Sequence, residues 1–191
     1  NGWVEVLHER FEVLTYAGKV NSGDLRFSYN PATERVEMIS AEVTSPDGRV
    51  HKVTQLEMNQ MDQPWVASAP RYPAGKTLVA SLPGMEIGSV VDYTIRREVY
   101  GKPARAFRVY FGGFSDVEKQ VLRLRSGDDG MAFAGMDAGD EIVVVHTNLP
   151  GMLRERNLPP PRHLFEKHYG VEAGFNAWEY GRLIESNMVA K

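Results

Sequence analysis

The first grouping in the chain that could do chemistry is the Gly-Lys-Thr triplet from Gly75 to Thr77, because a glycine-rich loop ending in these residues can cradle a phosphate. That motif also needs a glycine at the position where Pro70 stands, and a helix after the threonine, where the pattern reads as a strand. Gly75 is therefore read as a turn residue. His163, Glu166 and His168 invite a zinc reading. On a helix, however, histidines with this separation point about 140° apart, whereas the HExxH arrangement sets both on one face. His8, His51 and His146 are isolated in sequence, so no metal site is expected. Asp128, Asp129, Asp137, Asp140 and Glu141 lack the alternating ligands of a calcium loop and read as solvated turns. No Gly-Xaa-Ser-Xaa-Gly elbow occurs, and the chain has 0 cysteines, which removes a thiolate nucleophile, a disulfide framework and cysteine-ligated metal. A carboxylate pair of the kind that cleaves sugars is defined in space, so the 25 acidic residues leave it open. With no recognisable catalytic set and no implied cofactor, the expectation is a chain that is not itself an enzyme.

One positive binding hypothesis comes from the aromatic residues. Trp65, Tyr72, Tyr100, Tyr110, Phe111 and Phe114 fall in or beside loops and strand ends, where aromatic platforms take sugars or peptides. Trp65, Tyr72, Tyr100 and Tyr110 are the ligand-binding candidates. The competing reading is that most of these rings fill a core or cover the ends of sheets.

The bulk composition bounds the partners. The chain has 191 residues, enough to bury a substantial core, with hydrophobic and charged fractions of 42% and 25% that match ordinary globular proteins. Lys plus Arg total 22 against 25 Asp plus Glu, for a net charge of -3 with the signs interspersed. A nucleic-acid partner would call for a clustered basic excess, so none is expected. The longest aliphatic run, Ile142 to Val145, is far below the roughly 18 to 20 residues of a spanning helix. The opening Asn-Gly-Trp-Val shows neither an initiator methionine nor a signal-peptide pattern, which reads as a segment of something longer.

The elements that must position any site read as short strands. Val4 to Leu14 is a strand that runs into an Ala17–Lys19 turn. Leu25, Phe27 and Tyr29 alternate with Arg26 and Ser28, which sets three apolar side chains on one face. Asn30 to Glu34 then reverses the chain into a strand over Arg35 to Thr44, with Met38 or Ile39, Ala41 and Val43 as inward positions, and the two strands are expected to form a hairpin. Ser45 to Gly48 is a turn, Val50 to Val53 its antiparallel return, and Gln55 to Tyr72 a loop across an end of the sheets. Thr77 to Leu82, Val90 to Tyr100, Phe107 to Phe111, Val117 to Arg125 and Glu141 to His146 are further strands, with Pro83, Gly84 and Gly88 punctuating one connection and Ser126 to Gly130 another. This spacing predicts an all-β fold, an antiparallel two-sheet sandwich over residues 1–158. Pro159, Pro160 and Pro161 form a stiff spacer. Beyond it, Asn176 as cap, Glu179 and the recurrence of Ala177, Tyr180, Ile184 and Met188 predict a short amphipathic C-terminal helix within residues 159–191.

Four segments in order carry a family likeness: Tyr-Asn-Pro-Ala-Thr-Glu-Arg-Val-Glu-Met-Ile-Ser-Ala-Glu-Val from Tyr29, Ser-Pro-Asp-Gly from Ser45, Leu-Pro-Gly-Met-Glu-Ile-Gly-Ser-Val-Val-Asp-Tyr from Leu82, and Asn-Leu-Pro-Gly-Met-Leu-Arg-Glu-Arg from Asn148. Together they resemble the DUF3857 family, over a stretch from Val13 to Pro160. The resemblance implies a noncatalytic β-sandwich that lies immediately N-terminal to a transglutaminase-like domain in exported bacterial proteins, and hence a location outside the cytoplasm. It implies a catalytic domain as the adjacent partner, and Asn-Ala-Trp-Glu-Tyr around Trp178 looks like the lead-in helix to it. Transglutaminase-like chemistry needs a Cys activated by a His and oriented by an acid, so no catalytic residue carries over to a chain without Cys. The family's N-terminal hairpin is only partly present, which leaves the partner of the first strand open. The expected function is an accessory domain that supports or presents substrate to a transglutaminase-like peptidase. The alternative is a carbohydrate- or peptide-binding module that uses exposed aromatics or a sheet edge.

Overall fold

The structure, a computed structural model, describes residues 2–68, 75–100, 106–125, 141–155, 158 and 166–171. The chain divides into two compact units, Asn1–Pro103 and Ala104–Lys191. Alternating apolar positions and turn residues give the first unit seven strands: β1 (Gly2–Glu12), β2 (Asp24–Tyr29), β3 (Glu34–Thr44), β4 (Val50–Lys52), β5 (Met58–Asp62), β6 (Lys76–Ser81) and β7 (Val90–Tyr100). They pair antiparallel as two sheets, one in the order β1-β7-β3-β4 and the other β2-β6-β5.

The two sheets share one apolar interior, as a sandwich requires. Val36, Ala41, Val43, Val91, Tyr93 and Ile95 of the first sheet meet Leu25, Tyr29, Leu78 and Ala80 of the second, and Phe27 tilts against Tyr93 with ring centroids 5.8 Å apart. Val43, Val91 and Ala80 are wholly buried. Burial of each of the two valine side chains contributes about 1.5 to 3 kcal/mol relative to exposure. The alternating burial of β7 from Val90 to Ile95 is the period of two that the sequence shows at Val91, Tyr93 and Ile95.

Three expectations are corrected. Asn30 to Glu34 does reverse the chain, with Glu34 N–H donating to the Asn30 carbonyl at 2.7 Å and the Asn30 side chain accepting from Ala32 N–H at 3.0 Å. The strands on either side do not form a hairpin, however: β2 pairs with β6 and β3 with β7. Each strand has a single apolar face, and stacking those faces across the interior buries both, whereas edge pairing alone would bury neither. The Ala17–Lys19 turn belongs to a short helix, α1 (Tyr16–Asn21), whose cap Thr15 accepts from Gly18 N–H at 3.0 Å. Within Gln55 to Tyr72, read as loop, lie a 3-10 turn (Gln55–Glu57), β5, and a second 3-10 turn (Pro64–Ser68). Strand β5 escapes sequence reading because it ends its sheet with four of its five side chains exposed, so no apolar alternation marks it.

At Ile39 a register shift between Met38 and Ser40 inserts one residue into β3. Val36 and Met38 face the interior before the bulge, Ala41 and Val43 after it, and Ile39 is exposed. This resolves the choice between Met38 and Ile39.

The family-bearing turns meet at one end of the sandwich. The Ser45–Gly48 turn closes with Gly48 N–H on the Ser45 carbonyl at 2.8 Å, and Ser45 Oγ donates to the Gly84 carbonyl at 3.2 Å. Gly88 N–H donates to the Val13 carbonyl at 2.7 Å, and Val13 N–H returns to the Ser89 carbonyl at 2.9 Å. Gly48, Gly84 and Gly88 all have positive φ. At Gly84 a Cβ would also sit 2.8 Å from the His51 ring, which would have to move aside.

The second unit contains β8 (Ala106–Phe111), β9 (Val117–Arg125), β10 (Glu141–Leu149) and β11 (Glu166–Val171), paired as β8 with β11 and β9 with β10. Phe111 is buried there against the His146 ring at 4.3 Å. Gly151 N–H donates to Asp116 Oδ1 at 2.6 Å and Met152 N–H to the Gly113 carbonyl at 3.0 Å, which fixes the Asn148–Met152 segment on the Gly113–Asp116 loop. The predicted C-terminal helix, the triple proline and the Ser126–Gly130 turn lie outside the described residues. No helix among the described residues is long and apolar enough to cross a membrane.

Candidate functional site

Trp65 is the aromatic candidate for which the fold builds a seat. The ladder between β5 and β6 continues one step past β5, where Gln63 N–H donates to the Gly75 carbonyl at 2.9 Å. Gly75 has no side chain, and the Trp65 ring occupies the place of one: a Cβ at Gly75 would lie 2.7 Å from the indole. Gln63 then holds the ring, accepting from the indole Nε1–H at 2.5 Å while its own amide donates to the Lys76 carbonyl at 3.2 Å. Pro64 opens the 3-10 turn that carries Trp65 back over the strand end. The result is a fixed ring with its N–H satisfied and 41% of its surface exposed. Strand parity puts Met61, opposite Thr77, on the same sheet face as Gln63 and Gly75, and Met61 is exposed as well.

The other candidates have local partners or lie elsewhere. Tyr100 ends β7, and its hydroxyl donates to the Pro31 carbonyl at 2.8 Å while its N–H donates to the Thr33 carbonyl at 2.9 Å, so it ties down the reversal between β2 and β3. Tyr110 belongs to the second unit and is half-buried, with its carbonyl accepting from Gln120 Nε2 at 2.8 Å. Phe114 carries the Arg154 guanidinium over its ring at 4.5 Å. Tyr72 lies outside the described residues. No described contact joins Trp65 to Tyr100. Gln63 and Gly75, which make the Trp65 seat, are absent from the sequence-derived candidates, and by sequence Gly75 reads as a turn. Their only sequence signal is a glycine at the mouth of a strand, which becomes meaningful once β5 is known to pair there.

Acid and base groups form isolated pairs. The Tyr93 ring is buried, and its hydroxyl donates to the carboxylate of the exposed Glu9 in a part-buried contact. Burial first, and then that carboxylate, push the Tyr93 phenol well above its ordinary range. Arg97 pairs with Glu34 at 2.8 Å and with Glu5 at 3.6 Å, and His8 with Asp92 at 3.0 Å on an exposed strand face. Asp24 is held below the usual carboxylate range, chiefly by the Ser81 hydroxyl and further by Arg26. Among the described residues no group of three or more His, Asp or Glu is placed to hold a metal ion. Lys76 and Thr77 of the Gly-Lys-Thr triplet already lie in strand β6, which continues to Ser81 where a phosphate loop needs a helix, and this removes the phosphate-loop reading. His168 lies in strand β11, so the helical spacing considered for it does not apply, and His163 lies outside the described residues.

Comparison with solved structures finds a crystal structure of a protein from Parabacteroides distasonis ATCC 8503, described as a candidate protease, with a TM-score of 0.70 and 17% identity. The alignment covers 88% of this chain and 36% of that one, so the chain spans about a third of its structural neighbour's length, and the likeness is one of fold. No curated protein matches the chain. Residues 1–142 match DUF3857, described as a domain of unknown function with a solved structure. On that match, which runs from β1 into β10, the chain belongs to the DUF3857 family.

Proposed function

We propose that the chain is a noncatalytic accessory domain of a longer protein, acting outside the cytoplasm to support, or present substrate to, a transglutaminase-like peptidase domain. The observation that carries this reading is the partial coverage: the fold recurs as 36% of a larger chain described as a candidate protease. The segments that mark the family support it, because the Ser45–Gly48 and Leu82–Ser89 motifs are used up in turn closure and in seating Val13. A nucleophilic cysteine, required by the chemistry of the proposed partner, is lacking within these 191 residues.

The test is to read the gene beyond Lys191, express the longer product, and assay peptide-bond cleavage before and after a Cys→Ala change in the following domain. The expected outcome is turnover abolished by that change and none by the 191-residue chain alone. Turnover by this chain alone, or a reading frame without a catalytic domain, overturns the proposal. A second reading, a carbohydrate- or peptide-binding module, is favoured by the fixed and exposed Trp65 ring.

A further inference from the structure

Strand β5 is the terminal strand of its sheet, paired with β6 on one side. In an antiparallel ladder the residues alternate between those bonded to the neighbour and those whose N–H and C=O point away from it. Gln63 is bonded to Gly75, and stepping back by two along the register gives Met61 opposite Thr77 and Asn59 opposite Val79 as the bonded pairs. Gln60 and Asp62 therefore turn their backbone N–H and C=O groups to the edge of β5 that no strand among the described residues pairs with. On one flank of that edge stand Met61 and Trp65, exposed at 44% and 41%.

We propose that the β5 edge binds an extended polypeptide, which adds to the β2-β6-β5 sheet as a further strand through Gln60 and Asp62 and lays an apolar or aromatic side chain on Trp65 and Met61. The chemistry selects this occupant over a glycan. A sugar stacked on Trp65 needs polar side chains beside the ring, but the Gln63 oxygen is held by the indole, its amide by Lys76, and the Asp62 carboxylate by the Lys76 ammonium at 2.7 Å. What remains on offer are backbone donors and acceptors at strand spacing, and another strand is the partner that matches them. The ring needs little ordering on binding, since Gln63 and Gly75 already fix it. This inference rests on the binding-module reading and names its ligand class.

The experiment is selection of a random ten-residue peptide library displayed on phage against the full chain, followed by synthesis of the enriched peptides. Amide and indole NMR shifts are then recorded with each peptide, with its alternately backbone-N-methylated analogue, and with chitin and peptidoglycan oligosaccharides. The expected result is binding that moves the Gln60 and Asp62 amides and the Trp65 indole, and that weakens by about tenfold or more in Trp65→Ala, in Gln60→Pro and with the N-methylated peptide. Gln60→Pro removes an outward N–H and leaves the β6 ladder intact, and an unchanged pattern of core amides shows that each variant is folded. No enriched peptide, peptides whose shifts fall on β1, β2 or β4, or equal binding of the N-methylated analogue overturns the proposal. Oligosaccharides that move the Trp65 indole where peptides do not overturn it too, while leaving the binding-module reading in place.

Discussion

At the scale of single residues, glycines in the turns are set by contact as well as by backbone angle. A Cβ on Gly151 would lie 2.7 Å from the Ser115 backbone carbon and 2.9 Å from the Asp116 nitrogen, neither of which can swing aside, whereas a Cβ on the nearby Gly113 would meet nothing within 4 Å. Gly151→Ala is expected to destabilise by about 2 kcal/mol or more and Gly113→Ala by about 0.5 kcal/mol, compared by urea unfolding of the two variants. Tyr93 makes a pH prediction whose sign follows from its raised folded pKa. The unfolded phenol titrates near its ordinary 10.0, so the stabilisation is fully present below that pH and is lost as pH rises towards the higher folded value. Tyr93→Phe removes the titrating group. Its unfolding midpoint should therefore fall less than that of the wild type between about pH 8 and about pH 11, and a parallel fall in both proteins would show that Tyr93 is not the source.

At the scale of elements, the bulge in β3 sets the phase of the core. Val36 and Met38 on one side and Ala41 and Val43 on the other can face inward together because Ile39 is the extra residue. Deleting Ile39 leaves Met38 opposite Ile95 and Ser40 opposite Thr94 as successive pairs, so both halves keep their inward faces and the cooperative thermal transition is expected to survive, whereas deleting Ile39 and Ser40 together puts the halves out of phase and is expected to abolish it. Ile39→Ser keeps the count and alters an exposed side chain, so its effect should stay within about 0.5 kcal/mol. Val43→Ala, at a fully buried position, should cost about 2 kcal/mol. Strands β3 and β7, with α1 and β5, also show how far the sequence was legible. The strong alternation of Val91, Tyr93 and Ile95 marks the buried half of β7. Helix α1 is too short to display a helical period, and β5 is an edge strand without an apolar face, so neither leaves a pattern to read. The Trp65 seat was half legible: the exposed ring was a candidate, but its supports depend on Gln63 and Gly75 being brought opposite each other by the pairing of β5 with β6.

At the scale of the molecule, the sandwich core among the described residues is built from residues between Phe11 and Ile95, inside the Asn1–Pro103 unit. A fragment ending at Pro103 is therefore expected to unfold in one cooperative step, as followed by near-ultraviolet circular dichroism against urea. A fragment that shows no near-ultraviolet signal would mean that the first unit needs the second in order to fold. The sequence alone determined that this chain is built of antiparallel strands closed by glycine and proline turns, and that it supplies no thiolate, because side-chain period, turn chemistry and composition are local properties. Only the tertiary structure decided that β2 and β3 lie in different sheets, that Ile39 is the extra residue, and that Gly75 seats the Trp65 ring. A strand with one apolar face buries it equally well beside several partners. The choice among them falls to the sum of long-range contacts, which no short window of sequence contains.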